Sequence, residues 1–166
     1  MSTSTNRVVI AGYGRTGQNI AQGLQDAGVP YIIVDIDPER VSDARSSRRP
    51  RIYGDASNPR VLSRANLAKA RTLVVTFPDP MAVIATVKNA LEINPKLKVV
   101  ARVHRVQEAE LLRTLGDVEL IMPEYEASLK FLERIFFVSG RTNSDIRQTL
   151  LAIQKNQEFG LDEEKP

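Results

Sequence analysis

Gly12-Tyr13-Gly14-Arg15-Thr16-Gly17 follows directly on the β-branched run Arg7–Ala11 and opens a stretch of helical periodicity from Thr16 to Ala27. A G-x-G-x-x-G string on its own is a weak signal. Placed between a strand and a helix it becomes a physical hypothesis, because each glycine then has a task. Gly12 allows the tight strand-to-helix turn, Gly14 lets the backbone approach a phosphate closely, and Gly17 lets the helix pack against its strand. Main-chain N–H groups at the helix N-terminus then meet the anion, aided by the helix dipole. Tyr13, Arg15 and Thr16 belong to the same loop. The guanidinium of Arg15 is read as a phosphate clamp, with a surface ion pair as the alternative.

Outward from this loop, short apolar β-branched runs alternate with longer amphipathic segments, the pattern of successive βα units feeding a parallel sheet. Strands are expected at Arg7 to Ala11, Tyr31 to Asp35, Arg51 to Tyr53, Thr72 to Thr76, Lys98 to Val103 and Glu119 to Met122. The helices between them are expected at Thr16 to Ala27, Pro38 to Arg48, Pro59 to Ala65, Asp79 to Ile93 and Val106 to Leu115. Right-handed crossovers turn this series into an α/β, Rossmann-type doubly wound parallel sheet of order 3-2-1-4-5-6. Ligands of such sheets bind at the carboxyl ends of the first and fourth strands. Asp35 ends the second strand about twenty residues beyond the glycines, where its carboxylate accepts hydrogen bonds from ribose hydroxyls. Asp37, followed by Pro38, is as well explained as a helix N-cap and stays outside the core set.

The amphipathic segment Pro123 to Val138 follows the last strand, with Tyr125, Leu129, Leu132, Ile135 and Phe136 at three- and four-residue spacing. Gly140 lies in a break at Ser139 to Asn143, and Ser144 to Gln157 reads as a final helix. The expected organisation is a disordered tail at 1–6, a nucleotide-binding domain at 7–138, and a helical extension and tail at 139–166.

A chain of 166 residues, 42% hydrophobic and 26% charged, suits one ordinary globular domain. It contains no Cys, which removes disulfides, thiol catalysis and Cys-ligated zinc, and fits a reducing cytoplasm. The single histidine, His104, has no partner with which to build a transition-metal site, so no metal is expected. The apolar runs are strand-sized, far below the ~20 residues of a membrane helix, so no direct membrane insertion is expected. Net charge is +3 and the positive residues are scattered, apart from Arg45, Arg48, Arg49 and Arg51. That cluster is a weak footprint for nucleic acid, and none is expected as a partner. Arg102, closing the fifth strand, faces the crevice by topology and is a candidate contact for a phosphate or for a partner subunit.

Three segments carry a resemblance to a known family: Val9 to Gly17 (VIAGYGRTG), Ile33 to Pro38 (IVDIDP) and Tyr53 to Ser57 (YGDAS). They resemble the nucleotide-binding domains that regulate potassium channels and transporters, the RCK or Trk N-terminal (KTN) type. Within that family the likeness is to the cytosolic tail of Kef-type monovalent cation/proton antiporters. The resemblance spans about residues 7 to 138. It implies that Asp55 and the Ala56 backbone read the adenine edge, with a helix or turn cap as the competing account of Asp55. Ile36, next to Asp35 in the second segment, is counted with it among the candidate cofactor-binding residues, and the resemblance implies that the helix near 124–138 is the seam of a homodimer. After the fourth strand Phe77-Pro78-Asp79-Pro80 departs from the family's more acidic stretch, which puts the ribose-side contact there in doubt.

The function expected from the resemblance is a cytoplasmic regulatory domain controlling a potassium or monovalent cation transport protein at the inner face of the cell membrane. The ligand is an adenine nucleotide, AMP or NAD(H) favoured, ADP or ATP also compatible. No catalytic residues are expected. The rivals are a small NAD-dependent oxidoreductase, for which no Tyr-Lys or His-Asp constellation is visible, and a DNA-binding regulator, for which no winged helix-turn-helix is found.

Overall fold

The computed structural model describes residues 7–160. The expected tails, Met1–Asn6 and residues 161–166, lie outside them. Six strands form one sheet: β1 (Arg7–Ala11), β2 (Tyr31–Asp35), β3 (Arg51–Tyr53), β4 (Ala70–Val75), β5 (Lys98–Arg102) and β6 (Val118–Ile121). Their order is β3-β2-β1-β4-β5-β6, and every pairing is parallel. The helices are α1 (Arg15–Asp26), α2 (Pro38–Ser46), α3 (Pro59–Arg64), α4 (Pro80–Ile93), α5 (Val106–Leu115), α6 (Pro123–Val138) and α7 (Asn143–Gly160), with a 3₁₀ turn at Leu67–Lys69. The doubly wound sheet expected from sequence is therefore present.

The central strands carry unbroken apolar runs because both faces of a parallel sheet are covered. Val9, Ile10, Ala11, Ile33, Val34, Leu73, Val75, Val99 and Ala101 are all buried. Helix α1 buries Gly17 and Ala21, one turn apart, and the small side chains bring the helix axis close to β1. Three helix starts share one device. Asp37-Pro38, Asn58-Pro59 and Asp79-Pro80 each place an Asx carboxylate or amide on the free N–H groups of the first turn, while the proline supplies a preset φ and no surplus donor.

The structure moves several boundaries by one or two residues. Strand β4 starts at Ala70 because Ala70 pairs with Arg7 across a register shift, and it stops at Val75. Asp79 is the cap of α4 and not its first residue. One compact unit ends at Ile121 and a second begins at Met122. Helix α6 accordingly belongs with α7 in a helical pair, in which Leu129 and Ile146 are buried. Phe131, Ile135, Phe137 and Val138 of α6 remain exposed. Among the described residues no helix is long and apolar enough to cross a membrane.

Candidate nucleotide crevice

Strands β2 and β4 flank β1 on opposite sides, so their connections diverge to opposite faces of the sheet and leave a crevice at the carboxyl end of β1. Gly12 sits at this switch point. Its N–H donates to Val34 O at 2.9 Å, and the Thr76 hydroxyl donates to Gly12 O at 3.1 Å, so the loop is fastened to both neighbouring strands. Gly12 has φ +103°, and a Cβ there would meet Thr76 Oγ1 at 2.5 Å. Gly17 is constrained harder still, since a Cβ would lie 2.0 Å from Gly12 O. Gly14 is the exception. A Cβ there would meet nothing within 4 Å, and its backbone (φ −70°, ψ −168°) suits any residue. Protein packing thus demands Gly12 and Gly17 and leaves the space over Gly14 open. Gly14 is also the N-cap of α1 and offers no side-chain cap to the first turn.

Asp35 is almost fully buried. One carboxylate oxygen accepts from the Tyr13 N–H at 2.5 Å, and the other accepts from the Asp37 N–H at 2.7 Å. The carboxylate therefore holds the glycine loop to the end of β2, and it retains lone pairs for further donors. Arg40 approaches the same oxygen as Tyr13, at 3.7 Å. Tyr13, counted from sequence among the nucleotide contacts, is committed inside the protein. Its N–H is used by Asp35, its ring is buried, and its hydroxyl accepts from Arg49 Nη1 at 2.6 Å. Arg49 also donates to Gln22 Oε1 at 2.6 Å, which ties the start of β3 to α1. Tyr31 packs in the same cluster, and burial pushes its phenol above the usual tyrosine range, so it stays a neutral partner for Gln25.

Tyr13→Phe removes the oxygen that Arg49 meets. The expected result is a stability loss of about 1–2 kcal/mol, read by thermal melting, with a smaller loss on adding Arg49→Met than that variant shows alone, because both act on one bond.

A cavity of about 220 Å³ opens at this crevice, lined by Gly12, Val34, Asp35, Ile36, Arg40, Gly54, Asp55, Ala56, Phe77, Asp79 and Ala82. The structure thus brings together Gly12, Asp35, Ile36, Asp55 and Ala56 from the sequence reading. Gly14, Arg15 and Thr16 lie beyond this lining at the start of α1, with Arg15 and Thr16 exposed. Arg102 lies outside the lining as well. It ends β5, which is separated from β1 by β4, and at ~4.8 Å per strand that is roughly 10 Å away. The Nε of Arg102 is enclosed without a hydrogen-bond partner among the described residues.

Asp55 makes a turn of its own. One oxygen accepts from the Ser57 N–H at 2.8 Å and from its hydroxyl at 2.7 Å, and Asn89 anchors the turn by donating to Ser57 O at 2.7 Å. The turn-cap account of Asp55 is therefore realised, and the same turn sets Ala56 into the cavity wall. Sequence reasoning missed Arg40 as a wall residue, and it named Phe77 and Asp79 only within a segment whose ribose-side contact was in doubt. Arg40 was signalled by its spacing three residues after Asp37, and Asp79 by its place before Pro80. Three carboxylates and one guanidinium make the wall net negative, whereas the start of α1 presents a helix N-terminus and Arg15. An anion is favoured at the glycine loop and a neutral, donor-rich group in the cavity. Among the described residues no cluster of three or more His, Cys, Asp or Glu side chains is placed to hold a metal.

This sheet, with its glycine turn, buried acid and flanking cavity, defines a Rossmann-type nucleotide-fold domain. A family model, the TrkA-N domain, matches residues 8–123, and the chain belongs to that family. A relative in Alkalimonas amylolytica, described as a K⁺ efflux antiporter KefB, is 38% identical over 131 residues, which is 79% of this chain and 20% of the antiporter. The chain thus spans about a fifth of the length of that relative. The TrkA-N domain of the inner membrane protein YbaL of Escherichia coli superposes with a TM-score of 0.74 at 26% identity, covering 77% of this chain and 95% of that one. A Kef CTD of Shewanella denitrificans, solved in AMP-bound form, gives a TM-score of 0.81 at 24% identity, covering 94% and 95% of the two chains. That second likeness is one of fold. The chain is a TrkA-N domain related to those of Kef-type antiporters.

Proposed function

We propose that this domain senses an adenine nucleotide, with AMP and NAD(H) the favoured candidates and ADP or ATP also compatible, and controls a potassium or other monovalent cation transport protein at the inner face of the membrane. One observation carries the reading: the space over Gly14 is open although packing does not require a glycine there, and Gly12 of the same turn lines a cavity walled by Asp35, Ile36, Asp55 and Ala56. A nucleotide laid along this path places phosphate on the α1 N–H groups and Arg15, ribose by Asp35, and adenine by the Asp55–Ala56 turn. The AMP-bound Kef relative supports AMP as the first ligand to try.

The role is regulatory and not catalytic. Asp35, Asp55 and Asp79 each already brace a loop, a turn or a helix start, which suits fixed recognition better than proton transfer. The exposed side chains of Phe131, Ile135, Phe137 and Val138 support a homodimer formed through α6. Nucleotide would bind one dimer arrangement more tightly than another, and a tenfold difference shifts the balance by ~1.4 kcal/mol per site.

The test is calorimetry with AMP, NAD⁺, NADH, ADP and ATP on the isolated chain, beside mass spectrometry of any nucleotide that copurifies. Binding of at least one adenylate without its consumption supports the sensor. No heat with any of them, or steady nicotinamide turnover with a small substrate, overturns it.

A further inference from the structure

Among the described residues Arg40 is the one cation on the cavity wall. Its Nη1 lies 3.7 Å from Asp35 Oδ2 and its Nε lies 3.4 Å from Asp37 Oδ2. It therefore stands beside the carboxylate that would hold the ribose hydroxyls. A guanidinium at this place is the chemistry that accepts a phosphate on the ribose 2′-oxygen, through paired charge-assisted hydrogen bonds. Here it is occupied by two carboxylates, and Asp55 and Asp79 add further negative charge to the same wall.

The two partners of Arg40 differ in what else they do. Asp35 cannot be exchanged freely, because it fixes the glycine loop through the Tyr13 and Asp37 N–H groups. Asp37 is divided. Its Oδ1 caps α2, accepting from the N–H groups of Glu39 at 2.9 Å and Arg40 at 3.4 Å, and among the described residues its Oδ2 meets only the guanidinium. Capping needs an oxygen and not a charge, so Asn or Ser serves as well. At 47% and 35% exposure the Asp37–Arg40 ion pair adds little to stability. Its consequence falls on the ligand that enters beside it.

Resting on the nucleotide reading above, we propose that the Asp37–Arg40 pair is a specificity device that rejects adenine nucleotides bearing a 2′-phosphate, with Arg40 a latent phosphate site masked by the Asp37 charge. A 2′-phosphate entering this wall has to displace Asp37 from Arg40 and then lie among carboxylates. A 2′-hydroxyl donates to Asp35 and disturbs neither.

Calorimetry with 5′-AMP and adenosine 2′,5′-bisphosphate, which differ only in that phosphate, tests the device on the wild type, Asp37→Asn and Asp37→Asn/Arg40→Gln. The wild type is expected to favour AMP by about tenfold or more, Asp37→Asn to narrow that ratio about tenfold by gaining affinity for the bisphosphate, and the double variant to lose the gain. Equal binding of the two ligands by the wild type overturns the proposal, as does an unchanged ratio in Asp37→Asn. Should Asp37→Asn melt early, Asp37→Ser keeps a cap oxygen without the charge and is read by the same ratio. Wild-type binding of AMP with no gain in either Asp37 variant sinks the specificity device alone, whereas failure of the wild type to bind either ligand sinks the nucleotide reading with it.

Discussion

Gly14→Ala is expected to leave the fold intact and weaken nucleotide binding strongly, while Gly17→Ala does the reverse damage, destabilising the domain whatever it does to binding. The two positions lie in the same six-residue motif, so a motif argument treats them alike. The structure separates them. A methyl at Gly17 falls 2.0 Å from the carbonyl oxygen of Gly12, and both are main-chain positions that no rotamer change relieves. Overpacking of this kind costs about 2–4 kcal/mol, and at ~2–4 °C per kcal/mol for a chain of this size Tm falls by roughly 4–16 °C. A methyl at Gly14 meets no protein atom within 4 Å and sits on extended backbone. Its only stability cost is the poorer N-cap, under about 1 kcal/mol. The methyl does stand where a phosphate would approach the α1 N–H groups. Losing one or two charge-assisted hydrogen bonds there is worth about 2–3 kcal/mol, or roughly 30- to 150-fold in affinity. Melting curves and AMP calorimetry on the two variants check the contrast. If Gly14→Ala binds AMP as the wild type does, the open space over Gly14 is not a phosphate site.

The sheet was readable because its signals are local and mutually consistent. Buried parallel strands show as continuous apolar runs, and Asp37-Pro38, Asn58-Pro59 and Asp79-Pro80 mark three helix starts in letters alone. The glycine loop, Asp35, Ile36, Asp55 and Ala56 were readable as candidates for the same reason, with the family resemblance adding the last three. What stayed hidden depends on directions and distances that a linear pattern does not carry. Tyr13 sits between two glycines and looks ligand-facing, but the turn sends its ring into the core, where Arg49 meets its hydroxyl. Arg102 ends a strand on the correct edge of the sheet, yet β4 stands between it and β1. Phe77 and Asp79 join the cavity wall because β4 ends beside Gly12, a tertiary fact. The apolar excess on α6 was visible, but periodicity does not say which neighbour a helix packs with, and α6 pairs with α7 in a unit of its own.

The second large effect concerns Asp35, and the structure changes how it must be measured. Asp35→Ala takes the acceptor from the buried Tyr13 N–H and from the Asp37 N–H. Each orphaned donor costs about 1–3 kcal/mol, so a total of about 2–6 kcal/mol is expected in stability, beside about 1–3 kcal/mol in nucleotide affinity. A weaker ligand bound to a loosened loop would look the same whether or not the carboxylate touches ribose. Pairing the substitution with a change in the ligand removes the ambiguity. If the hydroxyls donate to Asp35, the wild type should bind 2′,3′-dideoxy-AMP about tenfold or more weakly than AMP, the loss of one or two bonds to a charged group. Asp35→Asn, which keeps one acceptor oxygen for the loop and gives up the charge, should bind both ligands with nearly equal, reduced affinity. Loop damage alone lowers both affinities and preserves their ratio. A ratio that stays at its wild-type value in Asp35→Asn therefore takes the ribose away from Asp35 and leaves the carboxylate as a brace for the glycine turn.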